Sequence, residues 1–337
     1  MGLGKSKILS QAVAAPIDNT GNFNTVLYTG NGSSDRNITG VGFNPDLTIV
    51  KSRSGGENWG LGDTVRGGGF LLYPNLSNAQ VAAAYITPSA VSDGFKISTG
   101  NNNGSGINYA AWNFRAGGAA SSNTSGSITS QVSANQEAGF SIVEFTTSAN
   151  GTIGHGLSAA PQLIITKLYT RLGSWSTYSE PTGNTKYLQL DSNNAAATGT
   201  GRWNSTTPSA STFVLGSDFG SGHACICYCF HSVAGRQKVG SYTASNSWGS
   251  SAVIDVGFPP RFVLIKSVSN TGDWLLVDSE RGGSNGQDRE RIFVNLNSAG
   301  GADTTVDFTG NTFSITFGST GNQGTANTSQ YIYLAIA

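Results

Sequence analysis

The feature that most constrains the fold is a spacing of proline, lysine and tryptophan that occurs three times along the chain. In each copy the lysine follows the proline by six residues, and the tryptophan follows the lysine by eight. The copies are Pro45, Lys51 and Trp59; Pro161, Lys167 and Trp175; and Pro260, Lys266 and Trp274. Two independent spacings kept in three copies, in a chain with only nine prolines and six tryptophans, indicate one folding unit used three times.

Each copy contains segments typical of short β-strands, and the closing segment of each repeat shows the pattern most clearly. Its alternate residues are apolar, as expected for a strand with one buried face. The aligned apolar residues are Ala110, Trp112 and Phe114; Ile226, Tyr228 and Phe230; and Ile332, Leu334 and Ile336. We therefore predict an all-β protein with three tandem antiparallel β-sandwich or jelly-roll-like repeats. Residues Ala79–Ala84 are the one short helical candidate.

The repeat spacing divides the chain into five parts. Residues 1–22 show neither strand alternation nor a helical stripe, so we predict an extended N-terminal arm, with an ordinary flexible terminus as the alternative. The three β repeats are predicted at residues 23–118, 139–235 and 236–337. Residues 119–138, rich in Gly, Ala, Ser and Thr, are predicted to form a linker or long loop.

The amino-acid composition argues against some classes of binding partner. Charged residues make up 11% of the chain and the formal net charge is zero, whereas soluble domains average about 25% charged residues. Nucleic-acid binding is not expected, because it needs clustered Lys and Arg. No apolar run approaches the length of a membrane span, so we expect no membrane insertion, and no motif indicates a cofactor. The 46 glycines and many polar residues suit surfaces that pack against copies of themselves or against sugars.

Two carboxylates are candidates for a catalytic pair, since glycan cleavage needs two acids that face one bond. Asp63 and Asp278 lie four residues after a repeat tryptophan, and Arg66 and Arg281 lie seven after it. Recurrence at equivalent places favours a structural Asp–Arg pair that braces a turn, with catalysis as the alternative. Repeat two lacks the pair and has Tyr178 near that place.

A run of cysteines and histidines raises the question of a metal site. The residues share one parity and are His223, Cys225, Cys227, Cys229 and His231. Like-facing neighbours on a strand are about 7 Å apart, whereas ligands of zinc must converge to about 2.3 Å from the ion. We therefore predict a packing role and no metal. Cysteines two apart on one strand do not have the geometry of a disulfide, so we expect no disulfide framework.

The remaining candidates are one histidine and two tryptophans. His155, between two glycines, is predicted to be a turn histidine, because general-base catalysis would need a partner nucleophile. The three repeat tryptophans are predicted to anchor the core. Trp203 and Trp248 do not keep the repeat spacing, so they are the candidates for contact with a glycan or a partner protein.

Several longer motifs resemble one family. They are Phe43-Asn-Pro-Asp-Leu-Thr-Ile-Val-Lys51, Asn58-Trp59, Asp63-Thr-Val-Arg66-Gly67, Asp93-Gly-Phe95, Tyr109-Ala-Ala-Trp112, Gly139-Phe-Ser-Ile-Val143, Gly154-His-Gly-Leu157, Cys229-Phe-His-Ser-Val233 and Gly257-Phe-Pro-Pro260. Together they resemble an uncharacterised domain of structural proteins from marine bacteriophages, particularly those of cyanobacteria and pelagic bacteria. The resemblance covers nearly the whole chain after residue 22.

The resemblance implies a non-enzymatic virion component, such as a tail fibre, an appendage or a capsid decoration. It implies no catalytic residues. The expected partners are other virion proteins, contacted through the N-terminal arm, and the protein is expected in several copies or as a homo-oligomer. The alternative is a lectin-like adhesin that binds host-surface glycans, and an enzyme is a distant third. The resemblance does not choose between the head and the tail of the particle.

Overall fold

The computed structural model describes residues 21–83, 85–100, 102–245, 250–282, 289–303, 306–316 and 328–337. Within these ranges the regular structure is almost entirely β, arranged in several antiparallel sheets. The helical part is limited to the four-residue α-helix α1 (Thr200–Trp203) and two short 3-10 turns, Glu180–Thr182 and Ser217–Phe219. The predicted all-β sandwich class is confirmed.

The strands fall into three groups that follow the repeats. Repeat one contains β1 (Phe23–Thr29), β2 (Arg36–Thr39), β3 (Leu47–Ser52), β4 (Gly60–Asp63), β5 (Phe70–Leu71), β6 (Val81–Ala82), β7 (Ile86–Val91), β8 (Gly94–Ile97) and β9 (Asn108–Phe114). Next come β10 (Ser121–Asn123), β11 (Ser130–Asn135), β12 (Phe140–Thr146), β13 (Thr152–Gly154), β14 (Leu163–Leu168), β15 (Ser176–Ser179), β16 (Lys186–Gln189), β17 (Ala197–Thr198), β18 (Thr212–Val214) and β19 (Ala224–Phe230). The last group is β20 (Gln237–Ser245), β21 (Ser251–Asp255), β22 (Phe262–Ser267), β23 (Leu275–Asp278), β24 (Arg289–Phe293), β25 (Gly301–Asp303), β26 (Val306–Thr309), β27 (Thr312–Thr316) and β28 (Thr328–Ile336).

Each repeat is built on the same four-stranded arrangement, which we call the main sheet. The strand orders are β1-β9-β3-β4, β12-β19-β14-β15 and β20-β28-β22-β23. In every case the opening strand and the strand after the repeat proline flank the closing strand. The common order explains the sequence spacing, because the proline, lysine and tryptophan mark the same places in one repeated topology.

One face of each main sheet packs on a small sheet to form a sandwich. The small sheets are β2-β8-β7, β13-β18 and β21-β27-β26. Each sandwich encloses its own cluster of buried apolar side chains. The other face of all three main sheets contributes to one shared cluster, which includes Trp112 of repeat one, Tyr228 of repeat two and Leu334 of repeat three. The three sheets therefore surround a common core.

The closing strands β9, β19 and β28 are buried on both faces. Their predicted apolar residues point into the shared core, and the residues between them point into the sandwich cores. In β19 the second set consists of Cys225, Cys227 and Cys229, each with no exposed surface. Free thiols behave as small apolar groups when buried, so the two-sided burial gives them the packing role that the sequence predicted.

The segment 119–138 differs from the predicted linker. It contributes β10 and β11, and β11 pairs with the opening strand of repeat two, from Gln131 opposite Glu144 to Asn135 opposite Phe140. With β10 and β11 at one edge and β16 and β17 at the other, the sheet of repeat two has eight strands. Its Ser- and Ala-rich sequence hides the strand pattern, because backbone pairing needs no apolar side chain, and the added strands cover what would be an open edge of β12.

The helical candidate Ala79–Ala84 is also wrong. Residues 81–82 form β6, with Val81 opposite Leu71 and Ala82 opposite Phe70, while residue 84 lies outside the described ranges. Six residues are too few to sustain an isolated helix, so pairing with β5 decides the local structure. Of the predicted N-terminal arm, residues 1–20 lie outside the described ranges.

Candidate functional site

The three repeat tryptophans join each repeat to another one. Their side chains are almost completely buried, and each indole Nε1 donates to a backbone carbonyl in another repeat. The bonds are Trp59 to Leu296 O at 2.9 Å, Trp175 to Tyr73 O at 3.0 Å and Trp274 to Gln189 O at 2.8 Å. Repeat one thus binds repeat three, repeat two binds repeat one, and repeat three binds repeat two. The cyclic order gives the body an approximate three-fold arrangement.

The repeat lysines make a second cycle in the same direction. Each ammonium is buried and donates to a carbonyl of another repeat. The bonds are Lys51 to Asn297 O at 3.1 Å, Lys167 to Ser77 O at 3.0 Å and Lys266 to Asn193 O at 3.2 Å. Burial lowers the pKa of each lysine to about 8. The sequence marked these lysines only as part of the spacing, and their common position was the one signal of this role.

The two predicted Asp–Arg pairs are present and fully enclosed. Asp63 accepts bonds from Arg66 Nε at 2.7 Å and from the Arg66 backbone N–H at 2.8 Å. Asp278 accepts from Arg281 Nε at 2.6 Å and from its N–H at 2.9 Å. In both pairs the carboxylate and the guanidinium of residues three apart close one turn. The geometry is that of the predicted structural brace.

Each brace also receives a donor from another repeat. Tyr228 Oη of repeat two donates to Asp63 Oδ2 at 2.7 Å, and Trp112 Nε1 of repeat one donates to Asp278 Oδ2 at 2.9 Å. These donors occupy equivalent places on β19 and β9, and the bonds follow the same cyclic direction as the tryptophan bonds. The two acids therefore bind the repeats together as well as bracing their own turns.

A third brace is missing, and both the Asp–Arg pair and the donor from the neighbouring repeat are replaced. Repeat two has Ser179 and Thr182 where the other repeats have aspartate and arginine, and repeat three has Leu334 where the others have a donor. By the cyclic order, Leu334 is the residue that would face Ser179. Loss of the acid together with its donor avoids an unpaired buried carboxylate, which would cost more free energy than the buried Ser179 hydroxyl that stands there without a partner among the described residues.

Trp203 is not a surface residue, so its predicted role in glycan or partner contact is wrong. Its side chain is 2% exposed, Nε1 donates to Lys186 O at 2.9 Å, and the ring packs edge-on against Tyr178 with centroids 5.6 Å apart. The helix α1 brings it into the sandwich core of repeat two. Trp248, the other candidate, lies outside the described residues.

The cysteine strand and His155 are also internal. Thr166 Oγ1 lies 3.2 Å from Cys227 Sγ, and burial raises the pKa of the Cys225 and Cys229 thiols. In the part of the chain that the structure describes, no three His, Cys, Asp or Glu residues are grouped to hold a metal ion. His155 Nδ1 accepts from the Leu157 N–H at 3.1 Å, Nε2 faces a carbonyl, and burial lowers the pKa of the imidazole. It is a buried histidine held by backbone groups.

Two solvent-accessible grooves lie beside the end of a closing strand. The groove in repeat one has a volume of about 580 Å³ and is lined by Asn22, Asp46, Arg115, Asn135 and Glu137 among others. The groove in repeat two, of about 370 Å³, is lined by Ala159, Ala160, Pro161, Gln162, Tyr178, Glu180, Thr207, Pro208, His231 and Ser232. We call the latter the second-repeat groove. It is the candidate binding site, and the sequence did not indicate it as one.

An apolar cavity of about 60 Å³ lies in the shared core. Its lining includes residues of all three repeats, among them Trp59, Trp175 and Leu334. Within the described ranges, no helix has the length and apolar character needed to cross a membrane.

The match to one known family covers nearly the whole chain. The sequence model of a family described as "Domain of unknown function (DUF7483)" matches residues 18–337. No curated protein matches the chain. The matched region contains all three repeats, the tryptophan and lysine bonds between them, and the second-repeat groove. The chain therefore belongs to the DUF7483 family.

Proposed function

We propose that this protein is a non-enzymatic structural component displayed on a bacteriophage particle, as a tail fibre, an appendage or a capsid decoration. The sequence motifs that resemble marine phage structural proteins support this proposal. The observation that carries it is the cyclic set of tryptophan and lysine bonds around one shared core. Such cross-bracing makes a rigid body suited to a load-bearing or displayed part.

The residues that first suggested chemistry support the same proposal. Asp63, Asp278 and His155 are buried and bonded to neighbouring protein groups. A general acid or nucleophile must instead reach its substrate. Their use in bracing accords with a structural protein.

Mass spectrometry of purified virions tests the proposal directly. We expect peptides of this protein in particles, and antibody labelling in electron microscopy would assign them to the head or the tail. Absence from particles, or degradation of host polysaccharide by the purified protein, would refute the proposal.

We propose further that residues 1–22 attach the body to a neighbouring virion protein, in several copies, since avidity multiplies weak contacts. Among the described residues, the first residue of the shared core is Phe23 of β1. Deletion of residues 2–20 should therefore leave the thermal transition unchanged and abolish incorporation into particles. Normal incorporation of the truncated protein would place the attachment on the folded body.

A host-recognition adhesin is the second candidate, and the second-repeat groove is the observation that favours it. An adhesin requires an accessible concave site with polar groups. A pull-down of host cells with the isolated protein tests this function. Failure to bind host cells would leave the structural role alone.

A further inference from the structure

The hydroxyl of Tyr178 is an unusual feature of the second-repeat groove. The side chain is 2% exposed, and among the described residues its hydroxyl has no hydrogen-bond partner. The hydroxyl is not sealed inside the protein, since Tyr178 lines the groove. A buried aromatic ring whose polar end opens into a groove offers a donor and an acceptor to a ligand.

A carboxylate and an amide lie beside this hydroxyl. Gln162 Nε2 donates to Glu180 Oε2 at 2.7 Å, and Gln162 Oε1 accepts from the Ser232 N–H at 2.8 Å. The Glu180 backbone N–H also donates to Gln162 O at 2.8 Å. These bonds fix the pair in place while Glu180 Oε1 and one amide hydrogen remain available. The field of Glu180 adds to burial in raising the pKa of Tyr178 to about 12, so the phenol is protonated at neutral pH.

The charge of the groove selects against anions. Its lining contains Glu180 but no lysine or arginine. His231 places Nδ1 2.9 Å from Ser232 O and Nε2 3.3 Å from Ser158 Oγ, so both ring nitrogens are occupied by neutral groups. A ligand that offers hydroxyl donors to a carboxylate fits this lining, and a ligand with its own carboxylate does not.

The walls and the size of the second-repeat groove also suit a sugar. Pro161 and Pro208, both largely buried, add apolar atoms to the lining, which the C–H groups of a pyranose ring can contact. The volume of about 370 Å³ lies within the range of small-molecule pockets, roughly 300–1,000 Å³. This is room for one or two sugar units.

We propose that the second-repeat groove binds a neutral saccharide unit. The Glu180 carboxylate accepts hydrogen bonds from one or two hydroxyls of the sugar, and Tyr178 and Gln162 make the remaining polar contacts. The inference deepens the adhesin candidate and rests on it. It names the ligand class and the residues that bind it.

The other repeats lack the same arrangement. The places equivalent to Tyr178, three residues after the repeat tryptophan, hold Gly62 and Val277. Neither can supply a hydroxyl. The proposed site is therefore specific to repeat two.

In the other two repeats, the acidic residues near the corresponding place already contact protein groups. In repeat one, Asp46 accepts from Thr64 Oγ1 at 3.1 Å and from the Ala116 N–H at 2.8 Å. In repeat three, Glu280 lies 3.7 Å from the Arg261 guanidinium. Among the described residues, no lysine or arginine forms an ion pair with Glu180, so its charge is left for a ligand.

Saturation-transfer NMR with the full chain tests the proposal. The probes are neutral hexoses and N-acetylhexosamines, with glucuronate and putrescine as charged comparisons. We expect millimolar binding of at least one neutral sugar and no binding of glucuronate. Glu180→Gln should weaken sugar binding about tenfold, because it replaces a charge-assisted bond, and Tyr178→Phe should weaken it about three- to tenfold.

The variants are chosen to keep the fold. Tyr178→Phe removes an atom without a protein partner, so the thermal midpoint should stay unchanged. Tyr242→Phe is the matched control, since the Tyr242 hydroxyl also lacks a partner among the described residues but is enclosed away from solvent; sugar binding should be unaffected. Unchanged affinity in both groove variants, preference for putrescine, or no sugar binding would overturn the proposal. If the protein binds no sugar, and the Glu180→Gln variant still binds host cells, the groove is not the sugar site. The adhesin function would then remain supported.

Discussion

Replacing Tyr228 by phenylalanine removes a single atom from the bond between repeat two and repeat one. The Tyr228 hydroxyl donates to Asp63 Oδ2 at 2.7 Å, and both side chains are buried. Asp63 keeps its two bonds to Arg66 in the variant. The aromatic ring also stays in the shared core, so no large cavity is created. The substitution therefore removes only the polar contact of the Tyr228 hydroxyl with the Asp63–Arg66 pair of repeat one.

The size of the effect follows from the charge and burial of the acceptor. Hydrogen bonds to charged groups contribute about 1.5–3 kcal/mol to stability, since a buried carboxylate that loses a donor finds no water to replace it. We expect Tyr228→Phe to lower the free energy of unfolding by about 2 kcal/mol. Asp63→Asn should cost more, about 3–5 kcal/mol, because it leaves the buried Arg66 charge without its partner.

Urea denaturation followed by tryptophan fluorescence measures these differences. The midpoint should fall for Tyr228→Phe while the slope of the free energy against urea stays unchanged. Tyr242→Phe is the control, because that hydroxyl makes no hydrogen bond within the part of the chain that the structure describes. The stability of this variant should lie within about 0.5 kcal/mol of the wild type. In the Asp63→Asn background, Tyr228→Phe should cost less than it does alone. If Tyr228→Phe is no more destabilising than Tyr242→Phe, the brace does not stabilise the contact between repeats.

Three more predictions follow from the shared core and its bonds. Since one apolar cluster includes side chains of all three repeats, calorimetry should give a single unfolding transition, and separate transitions would contradict the shared core. Burial lowers the pKa of each repeat lysine to about 8 from an ordinary value of about 10.4, so the unfolded chain binds more protons between these values. The free energy of unfolding should then rise as the pH is raised from about 8 towards 10, and a lysine-to-methionine variant at each site should reduce that slope in denaturation measured at several pH values. Ser179→Asp alone should destabilise the protein by burying an unpaired carboxylate, whereas adding Thr182→Arg and Leu334→Tyr supplies both partners and should restore most of the stability; equal instability of the single and triple variants would show that the third brace cannot form.

The repeat organisation was evident in the sequence because its signals are local. Alternating apolar residues on a closing strand, such as Trp112 and Phe114, reflect the two-residue period of a strand. The proline, lysine and tryptophan recur at fixed distances because each repeat uses the same strand order. Asp63 with Arg66 could be interpreted as a turn brace for the same reason, since the two residues are only three apart.

Where the pattern was weak, pairing between strands decided the structure. Residues 119–138 have few apolar side chains, yet β10 and β11 form because β12 offers them a backbone edge. Trp203 broke the repeat spacing and was expected at the surface, but α1 turns it into the sandwich core. Neither outcome depends on a periodic pattern that the sequence could display.

The bonds between repeats were set by the tertiary structure alone. Trp59, Trp175 and Trp274 donate to backbone carbonyls 85 to 237 residues away, and every residue of a chain has a carbonyl. The acceptor therefore leaves no mark in the sequence. Likewise the Tyr178 hydroxyl and the Glu180 carboxylate are ordinary polar groups in the sequence. They become a candidate site only because the fold buries the ring, leaves its hydroxyl at the groove and, in the described part of the chain, lines the groove with no lysine or arginine.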